Sequence, residues 1–351
     1  MAGDPEILLE RRGAAGLVVL NRPQALNAIT HGMVLALRRA LDDWSADPAV
    51  TRIVVTAAGD RAFSAGGDIR HLYDLGQARR HDEALRFWRD EYALNVRIKR
   101  YPKPYVSLID GIVMGGGVGV SLHGSHRVAG ERYQFAMPEV GIGFFPDVGA
   151  TYALPRLPHQ AGIWLALTGE RVGTADALAL GLATHAVASA AFGDLRQALI
   201  AGEPVDEALA RFAMDPGPAS LAGEREMIQA WFSAPDELAI LSRLDDAAAR
   251  GAAFAGKAAA TMRQKSPTSL VIALEQMRRG GALEFEEAMR TEFRIVSRII
   301  EGPDFYEGVR AAIIDKDGAP RWRPATLEEV DPDAILRHYF AGLGPAELEL
   351  P

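Results

Sequence analysis

The spacing of apolar residues changes once along this chain, near residue 190, and that change limits the folds open to it. Before it, β-branched runs that indicate strands, such as 52–56 and 105–109, alternate with helical spacing such as that over 33–44. After it, helical spacing dominates, with a helix start at Ser266-Pro267. This order favours an α/β layer architecture. We therefore predict an α/β core over residues 1–200 and a helical region over residues 201–351 packed on it.

Composition excludes several classes of protein. The 351 residues are 48% hydrophobic, enough for a sizeable core, and 46 acidic against 38 basic residues give a net charge of −8. A general nucleic-acid binder needs Lys/Arg clusters, which this balance argues against. There is no cysteine, no apolar run near the ~18 residues of a membrane span, and no secretory or transit pattern over residues 1–13. We expect a cytoplasmic protein with neither a nucleic-acid nor a membrane partner.

Two acidic residues stand in an unusual setting. Glu139 and Asp147 lie among apolar residues, glycines and prolines over 136–149, a segment without Lys or Arg. A carboxylate in apolar surroundings loses hydration, so its pKa rises and it can transfer protons near neutral pH. The alternatives are a solvated loop carboxylate for Glu139 and a helix N-cap for Asp147.

Two glycine-rich turns, residues 65–68 and 114–117, each follow a predicted strand and precede a predicted helix. Paired glycines allow a close approach of backbone to ligand, so each turn could point an N–H at a developing oxyanion. The alternative is that they only make tight turns. Neither completes a dinucleotide or phosphate-binding motif. Together with the two acids, they indicate acyl chemistry on a carbonyl substrate.

Four ordered segments resemble the crotonase superfamily, also called the enoyl-CoA hydratase/isomerase family. They are residues 21–28, 62–69, 103–117 and 137–139. The resemblance implies a spiral of repeated ββα turns and an acyl-CoA thioester substrate. It implies no separate cofactor, because coenzyme A is part of the substrate.

The same resemblance assigns roles to individual residues. It gives the two N–H groups that polarise the thioester carbonyl to Gly67 and Gly116, and it places Gly67, Asp68 and Ile69 at the adenine end of the CoA site. It also implies a substrate contact for Glu91, whose alternative is a solvated helix face.

The branch of the family follows from which acids are present. Enoyl-CoA hydratases use two glutamates; Glu139 matches one, but Gly119 stands at the other position and cannot carry a proton. The pairing of Glu139 with Asp147, together with three C-terminal segments, is similar to 3-hydroxyisobutyryl-CoA hydrolases of valine breakdown. These segments are residues 265–270, 304–311 and 314–317. This similarity implies hydrolysis of a short 3-hydroxyacyl-CoA, with 3-hydroxyisobutyryl-CoA as the expected substrate.

Several questions stay open at this level. Glu139 could act as nucleophile or as general base, and Asp147 could position the 3-hydroxyl group or the water. A dienoyl-CoA-type isomerase shares the same acid pair, an enoyl-CoA hydratase is a further alternative, and a non-catalytic binding or assembly module is the alternative of another class. No metal site is expected, since His123 and His126 have no carboxylate at ligand spacing. Relatives commonly form trimers or hexamers, whereas the extra helical region here could block that assembly, so a homo-oligomer is an open alternative.

Overall fold

The computed structural model describes residues 4–350, and within that range every strand lies before residue 187. The strands are β1 (Ile7–Arg12), β2 (Ala15–Leu20), β3 (Arg52–Ala57), β4 (Ala62–Ser64), β5 (Tyr105–Ile109), β6 (Ile112–Met114), β7 (His126–Ala129), β8 (Gln134–Ala136) and β9 (His185–Ala186).

The helices extend along the whole chain. They are α1 (His31–Ala46), α2 (Ile69–Gln77), α3 (His81–Lys99), α4 (Gly116–Gly119), α5 (Ala150–Ala153), α6 (Ala161–Thr168), α7 (Thr174–Leu180), α8 (Phe192–Ala201), α9 (Val205–Phe212), α10 (Arg225–Phe232), α11 (Glu237–Ala249), α12 (Ala253–Met262), α13 (Pro267–Gly280), α14 (Phe285–Ile299), α15 (Pro303–Val309) and α16 (Pro332–Tyr339).

The strands form two sheets, and from β3 to β8 successive strands belong to the two sheets in turn. The larger sheet has the order β1-β2-β3-β5-β7-β9 and the smaller the order β4-β6-β8. Only the β1–β2 pairing is antiparallel among these ladders. In each successive pair, β3/β4, β5/β6 and β7/β8, the first strand joins the larger sheet and the second joins the smaller. This is the spiral of ββα turns predicted from the sequence.

The inner strands β2, β3 and β5 of the larger sheet are buried on both faces, which explains their continuous apolar runs. Successive side chains of a strand point to opposite faces. In β5, Val106 and Leu108 join a cluster closed by residues of α8 and α9. Tyr105 and Ile109 belong instead to the larger cluster on the other face. The predicted strand 105–109 is thus confirmed.

The helical region also follows its sequence signals at the start of α13. The Ser266 hydroxyl accepts the Ser269 N–H at 3.1 Å, and Pro267 occupies the first turn, as predicted. The larger apolar cluster contains residues of both parts of the chain, from Val18 to Leu348. The proposed division at residue 200 therefore stays a prediction.

The C-terminal helices rest on the short 3₁₀ turn Glu139–Ile142 that carries one of the predicted acids. A methyl group added at Gly308 of α15 would lie 2.3 Å from the carbonyl carbon of Ile142, so only glycine allows this approach. Across residues 4–350, no helix combines the length and apolar character that a membrane span requires.

Candidate active site

The smaller sheet brings the predicted site residues to one edge. Its three strands are parallel, so their carboxyl ends meet there, and ligands bind beyond such ends in open α/β sheets. The segments that leave these ends are 65–68, 115–117 and 137–140. They border a cavity of about 590 Å³. All the site residues predicted from the sequence line it: Gly67, Asp68, Ile69, Glu91, Gly116, Glu139 and Asp147.

The N–H groups of Gly67 and Gly116 are neighbours in this cavity. Gly67 pairs with Ile29 in an isolated parallel bridge, in which the Gly66 carbonyl and the Asp68 N–H make the hydrogen bonds, both at 2.9 Å. Because backbone groups alternate in direction along an extended segment, the Gly67 N–H points away from Ile29. A methyl group added at Gly116 would lie only 3.2 Å from the Gly67 nitrogen. Within residues 4–350, no hydrogen bond occupies either N–H.

Glu139 opens the 3₁₀ turn and faces the same place. Its side chain is buried, with the residue 7% exposed, and Oε2 has no hydrogen-bond partner among the described residues. A methyl group at Gly115 would lie 3.1 Å from Oε1, which puts this carboxyl beside the glycine turn. Burial first, and then the charge of Asp147, raise the pKa of Glu139 well above its usual value. Glu139 is therefore not a solvated loop carboxylate.

Asp147 is held by a tyrosine from α3. The Tyr92 hydroxyl donates to Asp147 Oδ2 at 3.0 Å, in a buried contact. Burial raises the pKa of Asp147 to about 7, although the bond from Tyr92 opposes that rise. The N-cap of α5 is Gly149, and no side chain caps that helix. The alternative role of Asp147 as a helix cap is therefore excluded.

Glu91 is the third acid of the cavity. It is 2% exposed, so it does not lie on a solvated helix face. A methyl group at Gly116 would lie 2.9 Å from Glu91 Oε1, an oxygen without a hydrogen-bond partner in the described chain. Burial, then Asp147 and Glu292, raise the pKa of Glu91 well above its usual value. Glu91 and Glu139 thus lie beside the glycine turn that carries Gly116, Asp147 lines the same cavity, and none of the three has an ion-pair partner among the described residues.

Asp68 lies toward a basic part of the cavity wall. Its carboxylate lies 3.0 Å from Arg22, which also contacts Glu6 at 3.0 Å. Asp68 is also the N-cap of α2, where its side chain accepts the His71 N–H. Ile69 and Arg70 line the cavity beside it. The assignment of this corner to the adenine end of coenzyme A stays a prediction.

Sequence reasoning missed three polar residues around the site. Tyr92 reads as a core aromatic at helical spacing and is buried, yet its hydroxyl holds Asp147. Asn95 donates to the Gly119 carbonyl at 3.1 Å, next to the position where hydratases carry their second acid. Glu292 of α14 is fully buried and reaches the Asp147 loop from 143 residues away. One signal in the sequence could have revealed Glu292: it is a glutamate on the apolar face of α14, which also carries Phe293 and Val296.

Comparison with known proteins identifies the family. A profile described as enoyl-CoA hydratase/isomerase matches residues 15–340. The chain belongs to the enoyl-CoA hydratase/isomerase family. It is 44% identical over 99% of its length to "3-hydroxyisobutyryl-CoA hydrolase, mitochondrial" of Xenopus tropicalis, of which it covers 91%. This confirms both the family and the hydrolase branch predicted from the sequence.

Two solved structures are also similar to the chain over nearly their full length. One is a carnitinyl-CoA dehydratase from Mycobacterium thermoresistibile, with a TM-score of 0.93 and 43% identity, covering 99% of each chain. The other is an enoyl-CoA hydratase from Rhodobacter sphaeroides 2.4.1, with a TM-score of 0.92 and 41% identity, covering 99% of this chain and 100% of that one. They confirm the crotonase-like fold together with its helical C-terminal region.

The location predicted from the sequence is wrong on this comparison. We expected a cytoplasmic protein, whereas the hydrolase relatives are mitochondrial by name. The physical reason is that receptors read a protein's destination from targeting segments. Neither the absence of cysteine nor the fold carries that information.

The described residues hold no group of three or more His, Asp or Glu side chains placed to bind a metal ion. His123 is instead buried against the backbone, with Nε2 at 2.6 Å from the Val148 carbonyl oxygen. His126 lies 3.1 Å from Asp206.

Proposed function

We propose that this chain hydrolyses the thioester of a short 3-hydroxyacyl-CoA, most specifically 3-hydroxyisobutyryl-CoA of valine breakdown, to the free hydroxy acid and coenzyme A. The observation that carries the proposal is the position of Glu139. Its carboxyl lies beside the turn that carries Gly116, whose added methyl group would lie 3.2 Å from the Gly67 nitrogen. The similarity to curated hydrolases over nearly the whole chain supports the choice of reaction.

The two N–H groups act on the thioester oxygen. Attack on the carbonyl carbon places negative charge on that oxygen, and fixed donors in a buried cavity stabilise it without reorganising. Loss of one such donor typically costs about 10²–10³ in rate. The cavity wall, with Trp88 stacked on Phe144 at 5.7 Å, keeps this region apolar.

Glu139 supplies the attack in one of two ways. As a nucleophile it forms a mixed anhydride with the acyl group and expels the thiolate, and water then opens the anhydride. As a general base it takes a proton from the water that attacks the carbonyl. Single-turnover hydrolysis in ¹⁸O-water separates these routes, because label found in the Glu139 carboxyl requires the anhydride.

Asp147 and Glu91 bind the acyl group near the reacting carbon. Asp147 holds the 3-hydroxyl group or the attacking water, and Tyr92 fixes its orientation. Glu91 lies against Gly116 and contacts the substrate beside the carbonyl. Burial raises the pKa of all three acids, and the charge of Asp147 raises those of Glu91 and Glu139 further, so the acids titrate as a coupled group.

The isomerase remains a second candidate, because Glu139 and Asp147 could respectively remove and return a proton. Hydration of an enoyl-CoA is disfavoured by the geometry around Gly119 as well as by the absence of a glutamate there. A side chain at Gly119 would begin 2.8 Å from Asn95 Nδ2 and 2.9 Å from Val148 Cβ, so a second glutamate there would have to displace one of these residues.

The test is an assay of free-thiol release across a panel of CoA esters. We expect rapid release from 3-hydroxyisobutyryl-CoA, no hydration of crotonyl-CoA and no isomerisation of a dienoyl-CoA. Thiol release that fails on every short 3-hydroxyacyl-CoA, with isomerisation in its place, would overturn the proposal. Glu139→Gln controls for thiol released by a contaminant.

A further inference from the structure

The loop that carries Asp147 has an unfavourable backbone conformation. Val148, the next residue, has φ of +53°, and Gly149 follows at +89°. A β-branched residue in the left-handed region is a genuine outlier, and such a conformation persists only where the surroundings hold it. The position of the Asp147 carboxylate therefore depends on the contacts that fix this loop.

Those contacts come largely from the C-terminal helical region. The Glu292 carboxylate of α14 accepts the Gly149 N–H at 2.8 Å and the Thr151 N–H at 2.9 Å. From α13, Gln276 donates to the Pro146 carbonyl and to the Thr151 hydroxyl. Backbone groups on both sides of Asp147 are thereby bound to helices more than 120 residues away in sequence.

Glu292 is a costly group to bury, which a purely apolar packing role would not require. It is 0% exposed and has no ion-pair partner among the described residues. Burial and the charge of Asp147 raise its pKa to about 8, against the backbone donors that favour ionisation. The titratable groups facing it are Asp147 on the loop and Glu91 and Tyr92 on α3.

We propose that Glu292 is a positioning residue that holds Asp147 in the catalytic cavity from the C-terminal helical region. It accepts the Gly149 and Thr151 N–H groups just after Val148, and so keeps the loop in the conformation that presents Asp147 to Tyr92 and to the substrate. This inference rests on the proposed function. It adds a residue that touches neither the substrate nor the reacting atoms.

The test is a double-mutant cycle between Glu292→Gln and Asp147→Asn, measured as kcat/KM for 3-hydroxyisobutyryl-CoA. An amide at 292 keeps one acceptor and turns its NH₂ toward the second backbone N–H. We expect Glu292→Gln to lower kcat/KM at least tenfold in the wild-type chain and less than twofold in the Asp147→Asn chain. Equal losses in both backgrounds would overturn the inference.

Two further variants serve as a control and as a replacement if Glu292→Gln fails to fold. Glu301→Gln, an exposed glutamate just after α14, should leave kcat/KM unchanged. If Glu292→Gln does not fold, Gln276→Met repeats the cycle from α13, with the same expected masking by Asp147→Asn. A loss by Gln276→Met that Asp147→Asn does not mask would contradict the inference.

The cycle is also measured on the binding of a non-hydrolysable 3-hydroxyacyl-CoA thioether. If the wild-type chain releases no thiol, the proposed function fails, while masked binding losses would still support the role of Glu292. If thiol is released but both cycles are additive, the role of Glu292 fails and the proposed function stands.

Discussion

Two clusters of acidic residues in this chain have opposite surroundings. Near the C-terminal end, Arg310 contacts Glu307 at 2.8 Å and both Asp315 and Asp317 at 2.7 Å; we call these four residues the Arg310 cluster. In the cavity, Glu139 and its acidic neighbours are buried and make no ion pair within the described chain.

The difference shows in the pKa values and in what each cluster can do. Hydrogen bonds from Arg310 lower the pKa of Glu307, and they help the Ala319 N–H to lower that of Asp317, so both stay ionised. Burial raises the pKa of Glu139, so its protonation can change near neutral pH. An arginine partner makes an acid structural, whereas burial without one makes it available for proton transfer.

The largest expected effect comes from removing the cavity acid beside the carbonyl. Glu139→Gln keeps the shape but cannot attack or accept a proton, so we expect kcat for thiol release to fall by about 10²–10⁴. Binding of a CoA ester should survive. Stopped-flow or endpoint thiol assays measure the first quantity and calorimetry the second.

Wild-type turnover in Glu139→Gln would show that the buried acid is not the reactive one. Glu10→Gln, an exposed glutamate on β1, is the matched control and should retain full activity.

The second prediction concerns the Gly67 and Gly116 N–H groups, which stabilise negative charge on the thioester oxygen. Gly116→Ala adds a methyl group 2.9 Å from Glu91 Oε1 and 3.2 Å from the Gly67 nitrogen. Because this displaces the carbonyl from its donors, we expect kcat/KM to fall by about 10²–10³.

Gly193→Ala is the control, since a methyl group there meets nothing within 4 Å. It should leave activity unchanged and stabilise α8 by about 0.5–1 kcal/mol in urea unfolding. Equal activity in Gly116→Ala and Gly193→Ala would show that the turn at Gly116 takes no part in the reaction.

The third prediction concerns a variant in which a further acid without a cationic partner is placed at position 119. Gly119→Glu would restore the second glutamate of hydratases, but its Cβ would lie 2.9 Å from Val148 Cβ. We expect the free energy of unfolding to fall by about 1–3 kcal/mol from overpacking, with no gain of crotonyl-CoA hydration. Hydratase activity in a stable variant would show that room exists at this position.

The fourth prediction uses the coupling between the two acids. Glu139 must be ionised to act, so kcat/KM should rise with pH across the range in which its raised pKa lies. Asp147→Asn removes a negative charge that raises that pKa, so the acid limb of the profile should move to lower pH. A limb that stays in place would mean that the two groups do not interact.

The smallest effect is expected at the Arg310 cluster. Glu307 and Asp317 have lowered pKa values, so their stabilising contribution is present above their ordinary values of 4.5 and 3.8 and is lost as pH falls through the lowered ones. Arg310→Gln should therefore lower the Tm slightly at pH 7, and the difference should close in acid.

The cavity should respond to pH in the opposite direction. The raised pKa values of Asp147 and Glu292, about 7 and about 8, favour the protonated forms on folding. Their contribution is present below their ordinary values, 3.8 and 4.5, and is lost as pH rises through 7 to 8. Arg310→Gln should leave this alkaline decline unchanged.

Local patterns were enough to predict the long elements. Helix α1 buries Met33, Leu37 and Leu41 as their spacing indicates, and Ser266 caps α13 as its position before a proline indicates. The three-residue strands β6 and β8 were missed, because runs this short become strands only through pairing in the smaller sheet.

The site was predictable where its residues lie in local motifs. Gly67, Gly116 and Glu139 were assigned from the family resemblance, and the structure places them around one cavity. Glu292 was not, because no sequence pattern links α14 to a loop 143 residues earlier. The division of the chain at residue 200 also could not reveal that the second part contacts the site.

That long separation has a consequence for synthesis of the protein. Glu292 and Ile313, both close to the cavity, emerge from the ribosome long after the glycine turns and Glu139. A nascent chain that has only its first 200 residues lacks the groups that hold the Asp147 loop and part of the cavity wall. Thioester cleavage at this site therefore requires the segments that contain Glu292 and Ile313 to be made and folded onto the glycine turns.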